Sequence, residues 1–473
     1  MTASHFQQSL TELNEVLARF AYLWQVQAFS AKQLPWQSEF PTLAKQVWQL
    51  ADDDIDELDV DQAALVEYFL PALAQDVALT NAEQLALSKL LVQGAAANGD
   101  DNSLYAFADS APVDSVPSAN EGDLAINESE LSHFSAGIKG RKWQQITRFA
   151  SEVTASRYYL QTKQKAHPQT NQISSRQVGQ QANLQASQQP SSSAQVESMF
   201  EWCAGKGHLG RLLAKVTDKP VHSLEWQAQL CEQGQAFADK WQLSQTFSCA
   251  DVFALDANPL KAKQHAVALH ACGDLHVELL HHAVDANTQA VSISPCCYHL
   301  IRNANYQPLS AIAKQAKFIL SKHDLQLPLQ QSVIANPKQQ QLRHQEIAWR
   351  LAFDSLQRDA RDCDDYLPIP SVKRSQLSGE FSDFCQWAAK VKSVALPERV
   401  DWQHYLKLGL QRQRLTRRID LIAHLFRKAL EQYLVLDRCC YMEEHGYQVT
   451  VSLFCSEQIT PRNTLIQAQK MSR

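Results

Sequence analysis

Between Ser9 and Leu91 the apolar positions recur at helical spacing, with Leu10, Leu13, Leu17, Phe20 and Leu23 forming the first such row. This predicts a helical N-terminal domain over residues 1–95. After Gly94 the pattern stops. The stretch AAANGDDNSLYAFADSAPVDSVPSANEGD is acidic, carries Pro and Gly and has too few apolar residues to build a core, so residues 96–132 are predicted to be an acidic linker. Helical spacing resumes in GIKGRKWQQITRFASEV, which predicts a basic helix within residues 133–160 that carries Lys139, Arg141, Lys142 and Arg148. A Gln/Ser-rich stretch over 161–197 reads as a loop, a spacer or surface insertion with no core of its own.

From residue 198 the period changes. Short apolar runs at 199–202, 220–224, 246–249, 266–270 and 290–294 alternate with helix-like segments, the pattern of a parallel sheet built from βαβ units. A long helical pattern over 415–444 then leads into GYQVTVSLFCSEQITPRNTLIQAQK, which reads as two strands joined by a loop. The predicted fold is therefore α/β: a Rossmann-like sheet over 198–300, completed by the helix and terminal β-hairpin of 412–473. Residues 301–411 are predicted to be an inserted lobe that holds the substrate.

Composition narrows the class. A chain of 473 residues with 45% apolar content is long enough for two or three domains with real cores. Its charged fraction is 20% and its formal net charge −6, so any contact with nucleic acid or an anionic surface has to be local. No apolar run approaches the roughly 18 residues of a membrane span, and the N-terminus lacks the basic start and apolar core of an export signal. Eleven cysteines, two of the pairs adjacent (Cys296-Cys297 and Cys439-Cys440), suit a reducing compartment better than a disulfide framework. The expectation is a cytoplasmic protein with no membrane contact; nothing in the sequence sets its oligomeric state.

The first strand runs into Glu201-Trp202-Cys203-Ala204-Gly205-Lys206-Gly207-His208-Leu209-Gly210. Glycines at such a strand-to-helix turn allow positive φ and a close backbone approach to a ligand. Gly205, Gly207 and Gly210 also fit the dinucleotide fingerprint, so the glycines alone leave S-adenosylmethionine (SAM) and NAD both open. Acids at three successive strand ends favour SAM. Glu201 is placed to neutralise the cationic end of methionine, Glu225 to accept ribose hydroxyls and Asp251 to accept the adenine amino group, with Val252 or Phe253 against the ring. Solvated acids over a tight turn are the plainer alternative. The predicted cofactor set is Glu201, Cys203, Ala204, Gly205, Gly207, Glu225, Trp226, Asp251, Val252 and His270. Cys203 stands where a first glycine is common, and a positive φ there is strained.

Two more stretches sit at strand tips, LHACGDL (269–275) and SPCCYH (294–299). A methyl acceptor held there is activated chiefly by positioning, and a hydroxyl or amine acceptor also gives up a proton to a base. Asp274 and His299 are the predicted catalytic candidates, with Tyr298 as a platform. Each has a structural alternative: Asp274 as a helix cap, His299 as a packed loop residue, Cys296 and Cys297 as small buried hydrophobes. Cys272, Cys296, Cys297 and His299 lack Cys-x-x-Cys spacing and no second pair follows, so no metal site is predicted.

In this order and spacing, EWCAGKGHLG, ALHACGDL and SPCCYHLI resemble the SAM-dependent methyltransferase-like group that includes the glutathione S-transferase C-terminal-domain-containing protein and the ribosomal RNA adenine dimethylase domain-containing protein. More distantly they are similar to the tRNA 2′-O-methyltransferase with a CCHH motif at the same place. LVLDRCCYMEEHGYQVTVSLFCSEQITPRN near the C-terminus resembles the first group as well. The resemblance implies a class I methyltransferase sheet and SAM binding by residues 201–207 with Glu225 and Asp251, and relatives also carry Cys at the position of Cys203. Tyr298-His299 stands where the tRNA enzyme has two histidines, so its substrate does not carry over. RNA is the expected acceptor, contacted through Lys139, Arg141 and Lys142 and through Arg412, Arg414, Arg417 and Arg418. The alternatives are solvated helix faces for these cations and, for the whole chain, methylation of a protein or small molecule, or a SAM-binding scaffold without catalysis.

Overall fold

The computed structural model describes residues 4–93, 128–155, 196–330 and 337–471. Most of the predicted acidic linker, and all but the last residues of the Gln/Ser-rich stretch, lie outside them. The chain divides into two compact units, one from residues 1–98 and 312–436, the other from 99–311 and 437–473.

The second unit is built on one seven-stranded sheet. Its strands are β1 (Ser198–Trp202), β2 (Val221–Glu225), β3 (Gln245–Cys249), β4 (Gln264–Ala268), β5 (Ala290–Ile293), β6 (Tyr447–Leu453) and β7 (Thr464–Lys470). They lie in the order β3-β2-β1-β4-β5-β7-β6. The first five pair in parallel, so that Phe200 stands beside His222 on one side and Ala266 on the other. The hairpin closes the edge, with β7 antiparallel to both β5 and β6. This is the predicted Rossmann-like α/β sheet. One strand differs: β4 stops at Ala268, and Leu269-His270 leave the ladder to form its tip.

The basic segment forms two helices rather than one, Glu128–Ser135 and Gly140–Ala155, and the first starts inside the stretch predicted as linker. In the second, Ile146, Phe149, Ala150 and Val153 repeat at i, i+3, i+4 and i+7 and are buried. They pack on Leu209, Leu212 and Leu213 of the helix His208–Thr217 and on Met199, Val221 and Val267 of the sheet. Full burial of each large apolar side chain contributes roughly 1.5–3 kcal/mol. That row holds the helix against the sheet beside the tip of β1, while Lys139, Arg141 and Lys142 stay exposed.

In the other unit the N-terminal helices and residues 312–436 share one body, so the segment predicted as an inserted lobe is not separate from the helical domain. Arg418, on the helix Trp402–His424, shows why. Its guanidinium donates to Val47 O at 3.1 Å and Leu50 O at 2.7 Å, carbonyls left over at the end of the helix Pro41–Gln49, and pairs with Asp52 at 2.7 Å. The long predicted helix also breaks, ending at His424 and restarting at Arg427. Asp59 holds the break by accepting from His424 Nδ1 at 2.6 Å and Arg427 at 3.1 Å. No described helix is long and apolar enough to cross a membrane.

Candidate functional site

The turn after β1 is wound left-handed at three places, Cys203 (φ 54°), Gly205 (φ 58°) and Gly207 (φ 65°). Cys203 is therefore the strained residue its position suggested, at a cost of about 1–2 kcal/mol for a non-glycine. Ala204 N donates to Leu224 O at 2.9 Å, and Gly205 N donates to Glu225 Oε2 at 2.8 Å, so the carboxylate ending β2 holds up the loop. Burial pushes the Cys203 thiol up to about 12, which keeps it protonated at neutral pH.

Glu201 lies beneath this loop, 4% exposed. Its Oε2 accepts from Ser223 Oγ at 2.7 Å, and Ser223 Oγ accepts in turn from Gln245 Nε2 at 2.9 Å, a polar chain across β1, β2 and β3. The helix that follows, His208–Thr217, approaches so closely that a Cβ on Gly210 would collide with Glu201 Oε2. Burial raises the Glu201 carboxyl to about 7, against the pull of Ser223 and the backbone amides of Gly210 and Leu209.

Above these residues opens a cavity of about 280 Å³. Of the predicted cofactor residues, Glu201, Cys203, Ala204, Gly205 and His270 line it. Gly207, Glu225, Trp226, Asp251 and Val252 do not. Glu225 is occupied by Gly205 N and Gln227 N, Asp251 Oδ1 accepts from Phe253 N at 3.0 Å, Val252 is buried, and Trp226 stands 68% exposed beside Glu225. The lining also includes Lys206, His208, Leu230 and, from the basic helix, Lys142 and Ile146. Lys206 falls inside the loop 201–207 that the resemblance assigns to SAM and Lys142 among the cations expected to meet RNA, whereas the sequence gives His208, Leu230 and Ile146 no site role. Burial lowers His208 to about 3 and His270 to about 4, so both imidazoles are neutral at pH 7. One buried carboxyl and two lysines in the lining of one cavity suit the ammonium and carboxylate of an amino-acid zwitterion. The exposed indole of Trp226 at the end of β2 suits a planar ring, so the residues present fit SAM.

The three predicted catalytic residues lie outside the cavity lining. Asp274 opens the helix Asp274–Asp285, and its Oδ2 accepts from Arg302 N at 2.7 Å. Tyr298 is 1% exposed, its ring 5.3 Å from the Arg438 guanidinium and edge-on to His276. His299 Nδ1 is buried without a hydrogen-bond partner. The strand tips do bring cysteines together: Cys272 Sγ and Cys296 Sγ are 3.5 Å apart, and the sulfurs of Cys272, Cys296 and Cys297 all lie within 4.8 Å of one another. Hydrogen bonding to Cys296 holds the Cys297 thiol down at about 5, and hydrogen bonding to Cys272 first and Cys297 second pushes that of Cys296 up.

The two predicted basic patches differ. Arg412 pairs with Asp354 at 2.7 Å, Arg414 with Asp52 at 2.6 Å, Arg417 with Asp56 at 3.1 Å, and Arg418 with Asp52. These four charges are met by carboxylates of their own unit. Lys139, Arg141 and Lys142 are exposed and have no ion-pair partner among the described residues.

A family model described as a methyltransferase domain matches residues 174–304, a span that holds β1 to β5, the glycine loop and both strand tips. No curated protein matches the chain. Residues 174–304 are thus similar to a methyltransferase domain, and they lie on a Rossmann-like sheet closed by a hairpin.

Proposed function

We propose that this domain binds SAM at the carboxyl end of β1 and transfers its methyl group to RNA. The observation that carries the reading is the cavity that Glu201, Lys142 and Lys206 line together at a left-handed glycine turn. SAM supplies an electrophilic methyl on a sulfonium. In this reading Glu201 receives the α-ammonium, Lys142 and Lys206 the carboxylate, Glu225 the ribose hydroxyls, Asp251 the adenine amino group, and Trp226 with Val252 its ring. Neutral His270, in the cavity wall at the tip of β4, takes the proton that a hydroxyl or amine acceptor releases. Asp274 and Tyr298 act as positioning residues, because backbone and core contacts already occupy them. His299, with its unpartnered Nδ1, is the second candidate base. The RNA assignment rests on Lys139, Arg141 and Lys142, exposed and without an ion-pair partner among the described residues, the last of them in the cavity lining.

The deciding experiment incubates the full chain with methyl-labelled SAM and cell extract divided into RNA, protein and small-molecule fractions. Label in RNA alone supports the proposal; label in protein or small molecules overturns the acceptor. A second reading, SAM binding without transfer, draws on Asp274, Tyr298 and His299 not being among the residues that line the cavity. Calorimetric SAM binding with no label in any fraction selects it. Binding of NAD but not SAM overturns both.

A further inference from the structure

The tips of β4 and β5 are stitched together beyond the ends of their strands. Cys272 and Cys296 form a parallel bridge there. Gly273 N donates to Cys296 O at 3.0 Å, Leu300 N to Cys297 O at 2.9 Å, and Asp274 N to Leu300 O at 3.1 Å. A side chain on Gly273 would run into the Leu300 carbonyl, so the two tips are in contact along their backbones. Cys297 is held left-handed, with φ 48°, a conformation that costs about 1–2 kcal/mol in a non-glycine residue and persists only where the surroundings impose it.

The consequence is a cluster of three sulfurs, Cys272, Cys296 and Cys297, all within 4.8 Å of one another, with 3.5 Å between the first two. A disulfide needs about 2.05 Å. Four ligands at zinc–sulfur bonds of about 2.3 Å in a tetrahedron stand about 3.8 Å apart, against 3.5 Å for Cys272–Cys296 and no more than 4.8 Å for the other two pairs. The donor set is all sulfur, the kind that soft or borderline cations select over magnesium or calcium. The three thiols are partly buried, and none of the eleven cysteines is in a disulfide.

We propose that Cys272, Cys296 and Cys297 form a three-thiolate site for zinc, with a light donor atom from solvent in the fourth position. On binding, each sulfur–hydrogen bond still present breaks heterolytically, a sulfur–zinc bond forms, and the proton passes to the buffer; no electron is transferred. The metal clamps the two strand tips beside the glycine loop. The site goes beyond the proposed methyl transfer and does not depend on SAM.

The test uses the full chain, reduced, stripped with a chelator and titrated with Co²⁺ alone. One equivalent per chain is expected to give a near-ultraviolet thiolate-to-cobalt charge-transfer band that one equivalent of Zn²⁺ abolishes. Cys272→Ser, Cys296→Ser and Cys297→Ser should each weaken binding at least tenfold, whereas Cys363→Ser, outside the cluster, should leave it unchanged. Circular dichroism checks that each variant is folded. Zinc-edge X-ray absorption of the unmutated protein gives an answer even if the variants fail to fold, and should show three sulfurs at about 2.3 Å. The proposal fails if no charge-transfer band forms, if the band survives undiminished in all three variants, or if the absorption data show fewer than three sulfurs. Loss of SAM binding with the cobalt band intact counts against the proposed methyl transfer alone.

Discussion

Ser223 Oγ donates to Glu201 Oε2 at 2.7 Å inside the sheet, and this bond is the main favourable contact of a carboxyl that burial has raised from 4.5 to about 7. The folded chain therefore holds the Glu201 proton more tightly than the unfolded one. Its contribution to stability is fully present below pH 4.5 and is lost as pH rises through 7. The loss amounts to about 3 kcal/mol for one fully buried group. Glu201→Gln should remove that slope, so the stability difference between wild type and variant should change by about this amount between pH 4.5 and 8. Urea unfolding at a series of pH values measures it, and parallel pH profiles would refute the assignment. In the proposed complex the α-ammonium of SAM favours the ionised form, so SAM binding should strengthen from pH 6 to 8 in wild type and not in the variant.

Gly205 and Glu225 meet in one hydrogen bond at 2.8 Å, and Gly205 sits at φ 58° with open space where a side chain would point. Gly205→Val therefore fails on backbone grounds, at about 1–2 kcal/mol or more for a β-branched residue, and fills the cavity as well. Glu225→Ala removes the acceptor that shapes the loop. Each should weaken SAM binding at least tenfold in calorimetry, while the melting temperature falls only modestly. Wild-type affinity in both variants would remove SAM from this loop.

Much of this site is legible in the sequence because its signals are local. Apolar runs mark β1 to β5, with acids at the ends of the first three, and Gly205 and Gly207 mark the turn, since a left-handed turn leaves its trace on residue type. The rest depends on residues distant in sequence. Lys142 reaches the cavity only because Ile146, Phe149 and Val153 dock its helix on the sheet. Arg418 looks like part of a solvated basic stripe until Asp52 and the carbonyls of Val47 and Leu50 are brought to it. Cys272, Cys296 and Cys297 carry no metal-site spacing because what brings their sulfurs together is the adjacency of two parallel strands. Glu201 is recognisable at its strand end, but its burial and the Ser223–Gln245 chain come from alternation across three strands.

Asp274 fits a base or a cap by its place in the sequence, and its Oδ2 instead accepts from Arg302 N at 2.7 Å, bracing the β5 tip from the start of a helix. An asparagine in its place keeps an acceptor oxygen; an alanine does not. Asp274→Ala should destabilise by about 1–3 kcal/mol through the unpaired amide and the missing charge-assisted bond, and Asp274→Asn should recover more than half of that. Thermal unfolding of the three proteins decides it. If Asp274→Asn retains full stability and SAM binding yet loses turnover, Asp274 is catalytic and the bracing role is incidental.

Arg412 and Asp354 test whether the C-terminal arginines serve the fold or an outside anion. Asp354 is 1% exposed on its side chain and accepts from Arg412 at 2.7 Å, Arg358 Nε at 2.8 Å and Leu367 N at 3.2 Å. Arg412→Ala leaves Asp354 with Arg358 still paired, so it should cost about 1–3 kcal/mol in urea unfolding, whereas Asp354→Ala takes the shared carboxylate from both arginines and should cost about 3 kcal/mol or more. The double variant should cost less than the sum, because neither charge is then left alone. Arg414 also pairs with a carboxylate, but its side chain is 56% exposed, so Arg414→Ala should cost under about 1 kcal/mol. Because its charge is already met within its own unit, the RNA affinity of the proposed complex and its salt slope should be unchanged in Arg414→Ala. The same slope should fall in Lys139→Ala and Lys142→Ala, by about 0.7–0.9 for each phosphate no longer neutralised. The opposite ranking would move the anion surface to the helix Trp402–His424 and make its ion pairs a competing ground state.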